Sequence, residues 1–138
     1  MRTAATSPPL AEVIPLSFSD HTVLLVDDNL DLQESMSFDF RRKGFKVLFA
    51  NNGTDALATL KKEKISLVIS DMHMPEGNGS WLLAEMKALL AEPPPLIFVT
   101  GSFDAREMEK RHPQVKVLPK LFDRKELMST ALAAIGLS

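Results

Sequence analysis

The sequence contains no cysteine, little net charge and no long apolar run. Without cysteine the chain can form no disulfide, thiolate metal site, thiol nucleophile or iron–sulfur cluster. The 16 Lys and Arg nearly balance the 18 Asp and Glu, which excludes broad attraction to nucleic acid or an anionic membrane as the main activity. Apolar runs such as Val23–Val26 and Leu96–Val99 are far shorter than the roughly 20 residues of a membrane-spanning helix.

The composition is that of an ordinary globular chain, with 45% hydrophobic and 25% charged residues among 138. This length predicts a single domain. Residues 1–20 contain Pro8, Pro9 and Pro15, and we expect them to form an N-terminal extension of a domain over residues 21–138. No convincing signal peptide precedes the domain, and we therefore expect a cytoplasmic protein that contacts neither membrane nor nucleic acid directly.

From residue 22 onward, short apolar segments alternate with longer amphipathic ones. The pattern predicts five strands: Val23–Val26, Phe45–Phe49, Leu67–Ile69, Leu96–Val99 and Val115–Leu118. It also predicts five helices: residues 30–43 after an Asn29 cap, 55–64 after a Thr54 cap, 80–90, 104–111, and 123–135 with Asp123 as cap. Five strand–helix units in succession predict an α/β fold with a parallel sheet covered by helices on both faces.

In such a fold, ligands bind outside the carboxyl ends of the strands. Asp27 and Asp28 follow the first predicted strand, Asp71 the third, Thr100 the fourth and Lys120 the fifth. Three crowded carboxylates repel one another, and oxygen ligands without Cys or His favour a hard cation such as Mg²⁺. Because a carboxylate can attack phosphorus, this set of carboxylate, hydroxyl and ammonium side chains suits phosphoryl transfer to an aspartate.

The same segments, in this order, resemble the receiver domain of two-component response regulators, including the chemotaxis regulator. The resemblance covers about residues 22–137 and is carried by five segments: Leu24–Asn29, Ala50–Leu57, Asp71–Pro75 with Gly79, Phe98–Gly101 and Leu118–Lys120. It implies a doubly wound, five-stranded, flavodoxin-like receiver fold. It also implies a phosphorelay protein that is a phospho-acceptor and not an enzyme acting on an external substrate.

The resemblance assigns a role to each residue at the strand ends. Asp71 is the phospho-acceptor, and a histidine kinase or a histidine phosphotransfer protein is the donor. Asp28, Asp71 and the backbone carbonyl of His73 ligate Mg²⁺, with Asp27 holding the ion mainly through water. Lys120 pairs with the phosphate, and the hydroxyl of Thr100 turns toward it on activation.

Two positions depart from the family pattern. Val117 stands where the family usually carries an aromatic side chain, so we expect no aromatic rotamer switch. Leu121 stands where it usually carries proline after the lysine, so we expect a trans Lys120–Leu121 bond. Trp81 is either a core residue or, if its helix buries Leu82 and Leu83, an exposed anchor for a partner.

Two other functions use part of this chemistry. An aspartate-nucleophile phosphohydrolase of the haloacid dehalogenase type needs a second acid two residues after the nucleophile, where this chain has His73. A pseudo-receiver that serves only for docking would lack one of the acids or the lysine, and all are retained. Since the sequence ends soon after the last predicted helix, we expect a stand-alone switch or relay with an unknown downstream partner, or a receiver cut from a longer protein.

Overall fold

The computed structural model describes residues 18–74, 76–120 and 122–137, apart from the side chains of residues 102–104. Five strands form one parallel sheet in the order β2-β1-β3-β4-β5. The strands are β1 (Thr22–Val26), β2 (Lys46–Ala50), β3 (Leu67–Asp71), β4 (Leu96–Thr100) and β5 (Lys116–Pro119). The order reverses between β1 and β3, so a crevice opens at the carboxyl ends of these two strands.

Five helices connect and cover the strands: α1 (Leu30–Arg42), α2 (Gly53–Lys62), α3 (Gly79–Leu89), α4 (Ser102–Arg111) and α5 (Arg124–Ala134). Helices α1 and α5 pack on one face of the sheet, where Met36, Phe40, Leu127 and Ala131 share a core with Val23 and Leu25. Helices α2, α3 and α4 cover the other face. Their core side chains there are Ala56, Leu57, Leu60, Leu82, Leu83, Met86 and Met108. The predicted doubly wound α/β fold is confirmed.

Almost every residue of the interior strands is buried, because helices cover both of their faces. Every residue of β3 and β4 is buried, and so are four of the five in β1. The edge strand β2 has only its last residue buried. The continuous apolar runs of the sequence therefore mark the middle of the sheet, as expected for parallel strands covered on both faces.

Several predicted boundaries shift by a few residues. The N-cap of α2 is Asn52, whose side chain accepts from the amide of Asp55, and the prediction of Thr54 was wrong. Thr54 lies instead inside the first turn, where its hydroxyl donates to the carbonyl oxygen of Glu76. Strand β3 continues two polar residues beyond its apolar run and β4 continues one, so that Ser70, Asp71 and Thr100 are strand residues.

Two sequence-based expectations fall wholly or partly on residues that the structure does not describe. Residues 1–17 of the predicted extension and Leu121, with its peptide bond to Lys120, lie outside the described residues. The last three residues of that extension are described, and the ring of Phe18 packs against Phe45 with 5.1 Å between centroids. Among the described residues, no helix has the length and apolar character needed to span a membrane.

Candidate functional site

The polar residues predicted at the strand ends do meet at the carboxyl edge of the sheet. Asp71 ends β3 and Thr100 ends β4, while Asp27 and Asp28 directly follow β1 and Lys120 directly follows β5. One carboxylate oxygen from each of Asp27, Asp28 and Asp71 lies within 4.8 Å of the others. Asp27 and Asp71 are buried, whereas Asp28 is exposed at the rim. This edge is an acidic site that reaches solvent at Asp28.

Asp71 lies at the centre of the site, with both carboxylate oxygens occupied. Its Oδ1 accepts hydrogen bonds from the backbone amides of Met72, at 2.7 Å, and His73, at 3.4 Å. Its Oδ2 accepts from Nζ of Lys120 at 3.0 Å. The carboxylate is therefore fixed in orientation by the chain that follows β3 and by an ammonium from β5.

Asp27 is the most deeply buried acid of the site and only partly satisfied. Its Oδ1 accepts from the amide of Asn29 at 2.9 Å, but its Oδ2 has no hydrogen-bond partner among the described residues. Nζ of Lys120 is 3.8 Å from that oxygen. Burial, together with repulsion from Asp71 and Asp28, raises the pKa of Asp27 to about 6, even though the Asn29 amide and Lys120 oppose the shift.

Lys120 bridges the two buried acids. Burial lowers the pKa of its ammonium, but the hydrogen bond to Asp71 and the attraction of the three carboxylates outweigh this effect, so the net shift is upward. Lys120 is thus positively charged at neutral pH. Three carboxylates against one ammonium leave an excess negative charge of two when all are ionised, which suits a divalent cation with oxygen ligands.

Thr100 is held at the same edge by the backbone. Its carbonyl oxygen accepts from the amide of Lys120 at 2.6 Å, which ties the end of β4 to the residue after β5. Its hydroxyl is buried and has no hydrogen-bond partner among the described residues. A buried hydroxyl without a partner is costly, and this one lies at the end of β4, the strand that pairs with the Asp71 strand.

Gln33 is a site residue that the sequence analysis missed. Its side-chain amide on α1 is buried and donates to the carbonyl oxygens of Asp27, at 2.7 Å, and Ala50, at 2.8 Å. These two bonds join the ends of β1 and β2 and fix the backbone of Asp27. The available signal was a polar residue on the buried stripe of α1, which carries Met36, Ser37 and Phe40 as well.

The loop from β3 to α3 packs tightly beside the acceptor strand. A Cβ on Gly79 would lie 2.9 Å from the carbonyl oxygen of Asp71 and 2.8 Å from the Phe98 ring, so only glycine fits there. Gly77 has a φ of 100° and packs against the ring of Trp81. Its carbonyl oxygen accepts from the amide of Gly53, at the start of α2.

The structure also gives the surroundings of Trp81, His73 and Val117, the last of which departs from the family pattern. Trp81 is 38% exposed, so it both packs on the loop and presents part of its ring to solvent. His73 is exposed, two residues after Asp71, and no second acid occupies that position. Val117 on β5 is half-buried beside Phe98 of β4, in the register of the sheet.

Comparisons with known proteins agree on one family. Residues 23–132 match the model of the response regulator receiver domain. The chain is 34% identical over 113 residues to a CpxR homolog of Haemophilus influenzae, described as a transcriptional regulatory protein, covering 82% of this chain and 49% of that protein. It is 33% identical over 98 residues to a response regulator receiver protein of Anaeromyxobacter sp. (strain Fw109-5), covering 70% of this chain and 41% of that one.

A solved structure supports the same assignment. The signal receiver domain of an HD domain-containing protein from Pseudomonas fluorescens Pf-5 superposes with a TM-score of 0.76 at 26% identity, covering 84% of this chain and 87% of that one. The chain therefore belongs to the response regulator receiver family of two-component systems. Its members are regulators and not classical enzymes, so neither the phosphohydrolase nor the docking-only alternative is favoured. The chain spans half or less of the length of these two curated relatives.

Proposed function

We propose that Asp71 accepts a phosphoryl group from a phosphohistidine donor and that the resulting acyl phosphate is the signal this receiver domain carries. The observation that supports this is the position of Asp71 at the end of β3, hydrogen-bonded to Lys120 and within reach of two further acids. In the transfer, a bond forms between an Asp71 oxygen and phosphorus, and the bond from phosphorus to the histidine nitrogen breaks. The donor is a histidine kinase or a histidine phosphotransfer protein.

The acids are suited to hold Mg²⁺ at this edge. Two features of the chain favour the ion: an excess negative charge of two, and an Oδ2 of Asp27 that is buried without a hydrogen-bond donor. We assign Asp28, Asp71 and the backbone carbonyl of His73 as direct ligands, with Asp27 acting mainly through water. When bound, Mg²⁺ neutralises the oxygens of the incoming phosphoryl group.

Lys120 and Thr100 complete the site. The ammonium of Lys120 contacts Asp71 Oδ2 before transfer and is placed to move onto a phosphoryl oxygen once that carboxylate is esterified. Thr100 contributes a hydroxyl that lacks a partner among the described side chains and backbone groups, and a phosphoryl oxygen would provide one. Its rotation would then carry the change in state toward α4, through the chain that follows β4.

The protein would thus assist its own phosphorylation and dephosphorylation without acting on an external substrate, in the cytoplasm, and would pass the signal to a protein partner. Intact-mass analysis after incubation with a small phosphodonor and Mg²⁺ tests the chemistry. We expect the wild-type chain to gain one phosphoryl group and Asp71→Asn to gain none. A phosphoryl group that persists in Asp71→Asn would show that another residue is the acceptor.

A further inference from the structure

Gln33 is a polar side chain buried beneath the acids of the carboxyl edge. It lies on the stripe of α1 that faces the sheet, and only 3% of it is exposed. Its amide nitrogen donates to the carbonyl oxygens of Asp27, at 2.7 Å, and Ala50, at 2.8 Å. A side-chain amide carries two N–H hydrogens, so each of them has a backbone acceptor. The side chain is therefore fixed in place and in orientation.

The two acceptors form one junction between neighbouring strands. Asp27 directly follows β1, and Ala50 ends β2. The backbone amide of Asp27 also donates to the carbonyl oxygen of Ala50, at 3.1 Å. The peptide group before Asp27 is thus held by β2, and the carbonyl oxygen of the peptide group after it is held by Gln33.

The peptide group after Asp27 connects the two acids that follow β1. A peptide group is planar, so fixing the carbonyl oxygen of Asp27 also fixes the direction in which the chain enters Asp28. Asp28 is exposed, so the position of its carboxylate depends on this backbone. The carboxylate of Asp27 is directed by its own contact, because its Oδ1 accepts from the amide of Asn29 at 2.9 Å. Gln33 therefore acts on both acids through the backbone that joins them.

We infer that Gln33 is a positioning residue for the divalent cation: its hydrogen bond to the Asp27 carbonyl oxygen fixes the two carboxylates relative to each other and so sets the affinity for Mg²⁺. The inference rests on the proposed function, which makes Asp28 a direct ligand and Asp27 a ligand through water. In this assignment Gln33 lies behind the ligands and is not a ligand itself.

Affinity for the ion is the property that this contact should control. Mg²⁺ requires a nearly octahedral arrangement of oxygens, so displaced carboxylates bind it less well. Groups that hold metal ligands in place contribute about 10- to 100-fold to metal affinity. The acceptor is held differently, because Asp71 accepts from the amide of Met72 and from Lys120. Removal of the Gln33 amide should therefore weaken Mg²⁺ binding and leave the acceptor carboxylate in place.

Isothermal titration of Mg²⁺ into the full, unphosphorylated chain tests the inference. Gln33→Met keeps the length of the side chain and removes both hydrogen bonds, so we expect the affinity for Mg²⁺ to fall at least about tenfold. Ser37→Ala is the matched control. Ser37 is buried on the same stripe, one turn further from the acids, and its hydroxyl donates to the carbonyl oxygen of Glu34 at 2.8 Å. Its loss should leave Mg²⁺ affinity unchanged.

Phosphorylation by a small phosphodonor at varied Mg²⁺ concentration gives a second measurement. In Gln33→Met the Mg²⁺ concentration for half-maximal rate should rise by the same factor, while the rate at saturating Mg²⁺ should equal that of the wild type. Circular dichroism and urea unfolding show whether each variant is folded. If Gln33→Met does not fold, Gln33→Asn replaces it, because its amide is one bond too short to reach both carbonyl oxygens and it should lose affinity as well.

The outcomes separate this inference from the proposed function. Wild-type affinity in Gln33→Met, an equal loss in Ser37→Ala, or a lower rate of Gln33→Met at saturating Mg²⁺ would each overturn the role of Gln33 and leave the metal site in place. A wild-type chain that binds no Mg²⁺ would overturn both. Normal Mg²⁺ binding without phosphorylation of Asp71 would overturn the proposed phosphoryl transfer alone.

Discussion

The carboxyl edge of the sheet and the interior beneath it treat buried polar groups differently. In the interior, the buried side chain of Ser37 donates a hydrogen bond to a backbone carbonyl oxygen, and so do those of Gln33 and Ser70 just beneath the edge. At the carboxyl edge, Oδ2 of Asp27 and the hydroxyl of Thr100 have no hydrogen-bond partner among the described groups, and they are the two such buried atoms found there. The apolar layers contribute stability, while the edge is held in an unfavourable electrostatic state.

The difference indicates where stability has been given up for function. Folding places Asp27, Asp28 and Asp71 within 4.8 Å of one another against a single ammonium, and removes most of the water that would screen two of them. A bound cation and a phosphoryl group would supply the missing partners. Substitutions that remove an uncompensated group at this edge should therefore stabilise the free protein, whereas removal of the compensating ammonium should destabilise it.

The largest effect is expected for Asp27→Asn. The folded-state pKa of Asp27, about 6, lies above the ordinary value of 3.8, so the folded chain binds a proton that the unfolded chain has lost. The contribution of Asp27 to the free energy of unfolding should accordingly fall as pH rises from about 4 to about 6 and stay lower above that. The shift in pKa corresponds to about 3 kcal/mol in the free energy of unfolding. We therefore expect Asp27→Asn to be more stable than the wild type by about this amount at pH 7 and to be no more stable at pH 3.

Urea unfolding of both proteins across this pH range measures the difference. The exposed Glu92→Gln serves as control, since it removes a carboxylate without removing a buried one. Equal free energies of unfolding for wild type and Asp27→Asn at pH 7 would show that the ionised carboxylate of Asp27 does not destabilise the folded chain.

Lys120→Met should have the next largest effect, in the opposite direction. The methionine keeps an apolar stem but leaves Asp27 and Asp71 without their shared cation. Breaking a fully buried pair costs about 3–5 kcal/mol, and because Lys120 is one-third exposed we expect about 2 kcal/mol at pH 7. The loss should shrink below pH 6, as Asp27 takes up a proton. Lys125→Met, on the exposed face of α5, is the matched control and should change stability little.

These two variants concern contacts that the sequence predicted only in part. Alternating apolar segments were enough to predict the strand and helix order, because burial on both faces imposes continuous apolar runs on parallel strands. The same reasoning placed Asp27, Asp71 and Lys120 at one edge, since parallel strands end on the same side. It could not give the ion-pair distances, which depend on how far β3 and β5 extend past their apolar residues.

Other features depend on tertiary packing that leaves a weak local signal. Thr54 and Asn52 are both residue types that cap helices, and the structure has Asn52 as the cap while the Thr54 hydroxyl donates to the carbonyl oxygen of Glu76. Gln33 was missed because one polar residue on an apolar stripe does not identify its two backbone acceptors. The close approach of Gly79 to Asp71 likewise arises only once α3 is docked.

Asp28→Ala should separate metal binding from stability. Asp28 is exposed, so its removal should change the free energy of unfolding little while deleting a proposed direct ligand. We expect Mg²⁺ affinity to fall at least about tenfold, or about 1.4 kcal/mol, and phosphorylation to become slow and nearly independent of the metal. Asp31→Ala removes a nearby acid outside the cluster and controls for long-range charge. Isothermal titration of both variants measures this, and wild-type affinity in Asp28→Ala would refute the assignment.

A smaller change in stability than for Asp27→Asn or Lys120→Met is expected for Thr100→Val, which keeps the shape of the side chain and removes its unpartnered hydroxyl. The free protein should gain up to about 1 kcal/mol in its free energy of unfolding, because no hydrogen bond to a described group is lost and a buried polar group is removed.

The effect of Thr100→Val on signalling should be large. Trp81 is the single tryptophan and packs on the loop after the acceptor, so its fluorescence should respond to phosphorylation in the wild type. That fluorescence response should disappear in Thr100→Val and persist in Val117→Ala, since Val117 has no aromatic ring to reorient. The reverse result would show that β5, and not Thr100, transmits the change on phosphorylation.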